Sequence, residues 1–278
     1  VSHKAFDTGN PAAEKFAPPN LTLSTGMNNS RLDDRKSLVG QFDRFRRDLD
    51  LTQSLAGTDE FRSAAFTLLT SHKVADAFDL SKEDPRLRDA YGRHRWGQSC
   101  LLARRLAEAG AAVINVDATA PNDTTKHFSW DDHASAFHLD YAQRERLPQM
   151  DQALSALIDD LHARGLDKKV LVIACGEFGR TPRLSHAPTN FSNQIGLGRD
   201  HWPGAFSALI AGGGLRMGQV VGATNSKAEY PQHDPVTPQD LMATVYRHLG
   251  IDWTQSFNDF FGRPVPILFK GRPIPQLI

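Results

Sequence analysis

A chain of 278 residues can bury a substantial core and form one large domain. Its 32 basic and 32 acidic side chains cancel, which excludes a broad nucleic-acid or anionic-membrane footprint, since both need surplus positive charge. No apolar run approaches the roughly 18–20 residues of a membrane-spanning helix, no signal-peptide pattern is read at the start, and Cys100 and Cys175 are too few for a disulfide framework and read as buried thiols.

Residues 1–30 are rich in Pro, Asn, Ser, Thr and Gly without periodicity, and Asn10-Pro11 and Pro18-Pro19 favour extended or turn backbone. The expectation is that the sequence opens inside a loop. Leu38, Phe42, Phe45 and Leu49 then follow amphipathic helical spacing, and a second helix is predicted from Asp59 to Thr70. Short helical pieces follow at Val74–Phe78 and Pro85–Tyr91. A longer helix runs from Trp96 to Ala109, with Cys100, Leu101, Leu102 and Leu106 on its apolar face and Gly110 as its stop. Ala112–Val116 reads as a strand and Pro148–Arg164 as a helix ended by Gly165. Further strands are predicted at Val170–Ala174 and Phe206–Ala211, with a short edge strand at Val220–Val221. Thr237 caps the last helix, with Pro238 at its first position and Leu241, Val245 and Leu249 inward.

Together these predict a single α/β domain over 1–278: a loop-like start (1–30), a helical insertion near the N-terminus (31–110), an α/β core (111–262) and a Pro-rich extended tail (263–278). Strands alternating with helices beyond residue 112 predict a mostly parallel, doubly wound sheet, with functional loops at the carboxyl ends of its strands.

Three stretches near such ends combine carboxylate with imidazole or guanidinium: His127 to His133, which holds Asp131 and Asp132; Glu177 with Arg180; and Arg199-Asp200-His201. A weaker one is His233-Asp234. Asp and Glu oxygens with His nitrogens are the ligand set of Zn²⁺ or Mn²⁺ hydrolytic sites. Asp131 and Asp132 are adjacent, so in extended backbone only one can face a shared site. A plainer reading makes Glu177 an acceptor for the amides of its own turn, with Arg180 as its ion-pair partner. Gly212-Gly213-Gly214 lacks dinucleotide-loop spacing, no Gly-x-Ser-x-Gly elbow is present, and Cys175 is a weak nucleophile candidate beside Arg180.

Tyr91-Gly92 with Trp96 through Leu106, Trp130 to His133, Gly176 to Pro182, Gly198 to Pro203, Ala211 to Gly214 and Pro235 to Leu241 together carry a resemblance. The chain resembles the bacterial family known as domain of unknown function 1501, sulfatase-like proteins grouped with the alkaline phosphatase superfamily. The resemblance implies a doubly wound sheet of alkaline phosphatase and sulfatase type, with two metals bridging a phosphate or sulfate ester. One metal would be held by Asp131, His133 and His201, with Glu177 and Asp200 as further ligands or orienters. At the second site Glu177-Phe178 stands where the superfamily has an Asp-His pair, so an imidazole is missing. The resemblance also implies a first strand with an early metal-binding acid and the nucleophile ahead of residue 1, and export to the periplasm or medium.

The expectation is a metal-dependent hydrolase-like protein for a small anionic ester, with Zn or Mn as the metal and Ca as a further option. Glu177 and Arg180 are its candidate catalytic residues, and Arg180 and Arg199 its anion clamp. The alternative is a non-catalytic binding or scaffold protein with an incomplete site. Neither reading needs a nucleic acid or a membrane span, and neither fixes the oligomeric state.

Overall fold

The computed structural model describes residues 9–16, 34, 72–119, 130–134, 139–188 and 195–278. The helices expected around Leu38–Leu49 and over Asp59–Thr70 lie outside the described residues. The chain divides into two compact units, Val1–Asp117 and Ala118–Ile278.

In the first unit, helices α1 (His72–Phe78), α2 (Pro85–Tyr91) and α3 (Arg95–Glu108) pack around Val74, Phe78, Leu80, Tyr91, Trp96 and Leu101. Asp84 caps α2 by accepting from the Arg86 amide at 2.8 Å, with Pro85 at the first helical position. The start of α3 lies directly on the end of α2: a Cβ on Gly97 would sit 2.0 Å from the Tyr91 carbonyl oxygen. Gln98 is fully buried, donating to the carbonyls of Arg88 and Gly92 at 3.0 and 2.9 Å. The Trp-Gly-Gln run is thus spent on one helix–helix contact. Arg104 is buried between Glu83 (2.8 Å) and Glu108 (2.6 Å), and Arg105 shares Glu83. Burial alone would raise the Glu83 pKa, but hydrogen bonds from Arg104 and Arg105 outweigh it and hold the carboxyl below its ordinary range. Burial pushes the Cys100 thiol up to about 12, which makes it inert. Ala112–Val116 is not a strand: it has no ladder partner among the described residues, and Val113 is exposed.

In the second unit, α4 (Leu147–Ala163) follows a π-helical turn over Ala142–Arg146 and buries Ala153, Leu157 and Leu161 at i, i+4 and i+8. Gly165, at φ 66, ends it. Strand β1 (Leu171–Ala174) leads into a long interrupted hairpin. Its near rungs are β2 (Gly179–Arg180) with β5 (His201–Trp202), and its far rungs β3 (Ser185–Pro188) with β4 (Ile195–Gly198). The chain then returns as β6 (Leu209–Gly212) alongside β1, with Leu171 opposite Gly212 and Ala174 opposite Leu209.

That pairing is antiparallel, and it overturns the expected parallel, doubly wound sheet. Among the described residues there are five separate two-stranded sheets, all antiparallel. The physical reason lies between β1 and β6. A parallel pair needs a crossover of a dozen or more residues, usually a helix, whereas the described residues here form a hairpin that turns the chain back on itself. Nor does Val220–Val221 form an edge strand; the pairing starts at β7 (Ala223–Thr224), against β8 (Pro231–His233). Cys175, read as buried, is exposed just past the end of β1.

Helix α5 (Pro238–His248) is capped as predicted, and Asp240 completes a capping box with Thr237. Beyond the hairpin of β9 (Ser256–Asn258) and β10 (Pro264–Pro266), the tail returns to α5. The Arg272 amide donates to Asp240 Oδ1 and the Ile274 amide to Thr244 Oγ1, each at 2.9 Å, and Ile274 and Leu277 are buried.

Asp240 therefore holds both a helix start and the tail. Its burial favours the neutral acid, but the Thr237 hydroxyl and the Arg272 and Thr237 amides together lower its pKa below the ordinary 3.8. A depressed carboxyl contributes stability that is complete above its unfolded value and lost as pH falls through the folded one. Asp240→Asn is expected to lower stability to urea by about 1 kcal/mol at neutral pH. The gap from the wild type should stay constant at pH values well above 3.8 and narrow as pH falls through the lowered pKa of Asp240.

Candidate functional site

The ladder between β2 and β5 sets Arg180 opposite His201 and Gly179 opposite Trp202. Opposed residues share a face and neighbours alternate, so Arg180 and His201 point one way and Trp202 the other. The segment 130–134 lies against the end of β4, where the Arg199 amide donates to the Asp132 carbonyl at 2.9 Å. Glycine alone permits this approach: a Cβ on Gly198 would come within 2.1 Å of the Ala134 nitrogen and 2.5 Å of the Asp132 oxygen. Asp131 and Asp132 then face opposite sides. Asp132 is buried and pairs with the buried Arg146, while Asp131 turns to β2 and β5.

Asp131 gathers three partners. Its Oδ1 lies 2.7 Å from His201 Nε2 and 3.1 Å from Arg180 Nη2, and its Oδ2 lies 3.2 Å from His133 Nε2. The two imidazoles meet edge-on at 6.3 Å between centroids, and the Phe178 ring lies against His201 at 4.4 Å. The hydrogen bond from His201 is the largest influence on the Asp131 carboxyl. With Arg180 and the charge of His133 it outweighs burial and lowers the pKa. The carboxyl is an anion at neutral pH, and an ionised carboxylate only accepts. His201 Nε2 must therefore carry a proton, and in the neutral tautomer of that ring the lone pair belongs to Nδ1. His201 makes no other hydrogen bond among the described residues, and its side chain is 53% exposed.

The other predicted residues are placed differently. Arg180 gives its donors to the carbonyls of Arg199 (3.2 Å) and Trp130 (2.6 Å) besides Asp131. Arg199 Nη1 donates to the carbonyls of Thr181 and Pro182 at 3.0 and 3.1 Å. Both guanidiniums thus brace backbone. Asp200 accepts from the Ser185 hydroxyl at 2.7 Å, away from the cluster. Glu177 is exposed in the turn after β1, with no hydrogen bond or ion pair among the described residues. His233 ends β8 opposite Ala223, apart from this group, and His127 lies outside the described residues. On the face that carries Trp202, Thr181, Pro182, Arg183, Lys227 and Glu229 complete an open cleft of about 460 Å³.

Sequence reasoning missed the role of Phe178, noted only as an absent ligand, and the Asp132–Arg146 pair. A phenyl two residues before a strand arginine shares that arginine's face, which was the available signal for Phe178. Nothing in the sequence pointed to Arg146.

One carboxylate and two imidazoles match the donor chemistry of Zn²⁺ and Mn²⁺. The arrangement does not match. Both Nε2 atoms are tied to the carboxylate, and among the described residues no group of three or more His, Cys, Asp or Glu is placed to hold a metal ion.

The tight contact at Gly198 makes a test of how the cluster is held. Gly198→Ala is expected to lower stability by about 1–3 kcal/mol through overpacking against backbone that has no flexible end to give way. The amide resonances of residues 131–134 should shift with it, while those of α5 stay in place.

A family model described as protein of unknown function, DUF1501, matches residues 2–278. No curated protein and no solved structure matches the chain. No helix among the described residues is long and apolar enough to cross a membrane. With almost its whole length matched, the chain belongs to the DUF1501 family of proteins of unknown function.

Proposed function

We propose that this chain is a hydrolase-like protein for a phosphate or sulfate ester, with its chemistry at Asp131, His133 and His201. One observation carries the reading: two imidazoles converge on a single ionised carboxylate, and one of them, half-exposed, makes no further hydrogen bond among the described residues. His201 Nδ1 would take a proton from a water as it attacks phosphorus or sulfur and the P–O or S–O bond to the leaving alcohol breaks, and a protonated His133 would give that leaving oxygen its proton. Asp131 would stabilise the imidazolium that results, the orienting role of the acid in an acid–imidazole pair. His133 flanks the same spot and is the second proton carrier. Arg180 keeps Asp131 ionised and in place. Glu177, exposed in the turn before β2 and without a hydrogen bond or ion pair among the described residues, is the remaining candidate acid.

The reading rests on this cluster and not on a doubly wound sheet. A divalent ion, Zn, Mn or Ca, belongs to the proposal only as a group that would have to replace the His201 hydrogen bond and the His133 ion pair now made with Asp131. No step above depends on it.

A second reading, a non-catalytic binding protein, has its own support. Arg180 and Arg199 are committed to backbone carbonyls, and the cleft on the opposite face offers Trp202 with Arg183 and Lys227.

The deciding experiment assays the purified chain on aryl phosphates and aryl sulfates, before and after chelation and after reloading with Zn²⁺, Mn²⁺ or Ca²⁺. Metal content is measured by mass spectrometry alongside. Turnover is expected on one ester class, lowered about 10²-fold or more by His201→Ala and less by Glu177→Gln. No turnover on either class under any loading would sink the hydrolase reading and leave the binding one. Turnover that survives chelation while the chain holds no metal would remove the ion from the proposal.

A further inference from the structure

The residue that stands where the family resemblance calls for a second imidazole is in contact with the imidazole that remains. Phe178 directly precedes β2 and shares a face with Arg180, which the ladder sets opposite His201. Its ring lies 4.4 Å from the His201 ring at 39°, and the Arg180 guanidinium carbon sits 5.7 Å from the Phe178 centroid. Arg180 reaches Asp131 at 3.1 Å, and Asp131 reaches His201 at 2.7 Å. Four side chains therefore close a circuit in which each touches two others. Arg180 is its fixed point, because its remaining donors are bound to the carbonyls of Trp130 and Arg199.

We propose that Phe178 is a positioning residue for His201. Among the described residues one hydrogen bond, through Nε2, holds this half-exposed imidazole, and a ring free to leave it could turn either nitrogen to Asp131, so the tautomer would not be set. A flat apolar ring against one face removes that freedom, and aromatic pairs favour a defined offset over random contact. Phe178 thereby holds the ring in the pose in which Nε2 meets Asp131, which keeps the proton there and leaves Nδ1 as the open nitrogen. A phenyl ring neither titrates nor coordinates, so it does this without competing for the proton. The inference takes His201 as the working base and so rests on the hydrolase reading.

The test reads the ring directly and needs no substrate. Long-range ¹H–¹⁵N spectra of the full chain are recorded at one fixed pH above the ordinary histidine range, with His201 assigned by its loss in His201→Ala. Wild type and Phe178→Tyr should show two well-separated ring nitrogens for His201, with Nε2 protonated. In Phe178→Leu, which keeps bulk but not the flat face, the two resonances should move toward a common average, while His133 and the amides of β2 and β5 stay in place. An unchanged His201 pair in Phe178→Leu would overturn the proposal. So would an averaged pair in Phe178→Tyr, or loss of the folded amide spectrum in Phe178→Leu, which would make Phe178 a support of the fold instead. If the tautomer responds as expected but the wild type turns over no ester, the hydrolase reading fails alone and the positioning role stands.

Discussion

The Arg180 guanidinium joins three pieces of chain that are far apart in sequence. Its donors reach the Trp130 carbonyl and the Asp131 carboxylate in one segment and the Arg199 carbonyl beside β5, while its own backbone is a rung of β2. A guanidinium is planar, permanently charged and carries five donors in a fixed fork, so few side chains could satisfy two carbonyls and an acid at once. Removing it would take a donor from two carbonyls and leave the Asp131 carboxylate without its permanent cation. An arginine placed this way acts indirectly, by holding the acid that holds the imidazole.

Beside it, two adjacent acids are sorted by backbone alternation. Asp132 pairs inside the unit with Arg146, and Asp131 meets the two histidines at the surface. Identical side chains acquire different chemistry because one is enclosed with a single cation and the other stays open to solvent and accepts from several donors. Gly198 makes the sorting possible by letting residues 132–134 lie on the β4 backbone. The exposed acid is consequently the one whose protonation and partners can change during a reaction.

Local signals in the sequence carried the helices. Asp84-Pro85 and Thr237-Pro238 with Asp240 are start signals whose hydrogen bonds are made within a few residues, and both helices begin there. The apolar run at 170–174 does contain β1, and the run at 206–211 overlaps β6, which starts later and ends one residue further on. A short aliphatic run, however, specifies a strand without specifying its partner or direction. The parallel sheet was inferred from alternation with helices, and it failed where the described residues after β1 form a hairpin instead of a crossover. Ala112–Val116 failed for a related reason: its residues favour extended backbone, but no neighbour among the described residues supplies the ladder. At the site, residue types marked separate clusters and the resemblance grouped Asp131, His133 and His201, which do meet at the Asp131 carboxylate. They could not show that Arg180 and Arg199 face carbonyls, because a guanidinium bound to backbone and one awaiting an ester look alike in a sequence.

His201 Nε2 sets the limit on what the cluster can do. While it donates to Asp131 it cannot also offer a lone pair to a metal ion, and the same holds for any nitrogen of His133 that donates to Oδ2. A metal drawn into this group would therefore displace a proton and break the hydrogen bond that now orients His201, so its affinity would carry the cost of both. Without a metal, that same bond leaves His201 with one nitrogen committed, the arrangement that the proposed base would use. The two states use the same three side chains and exclude one another. Phe178 bears on that balance, since a ring pinned by its face against a phenyl resists the reorientation that a metal would demand.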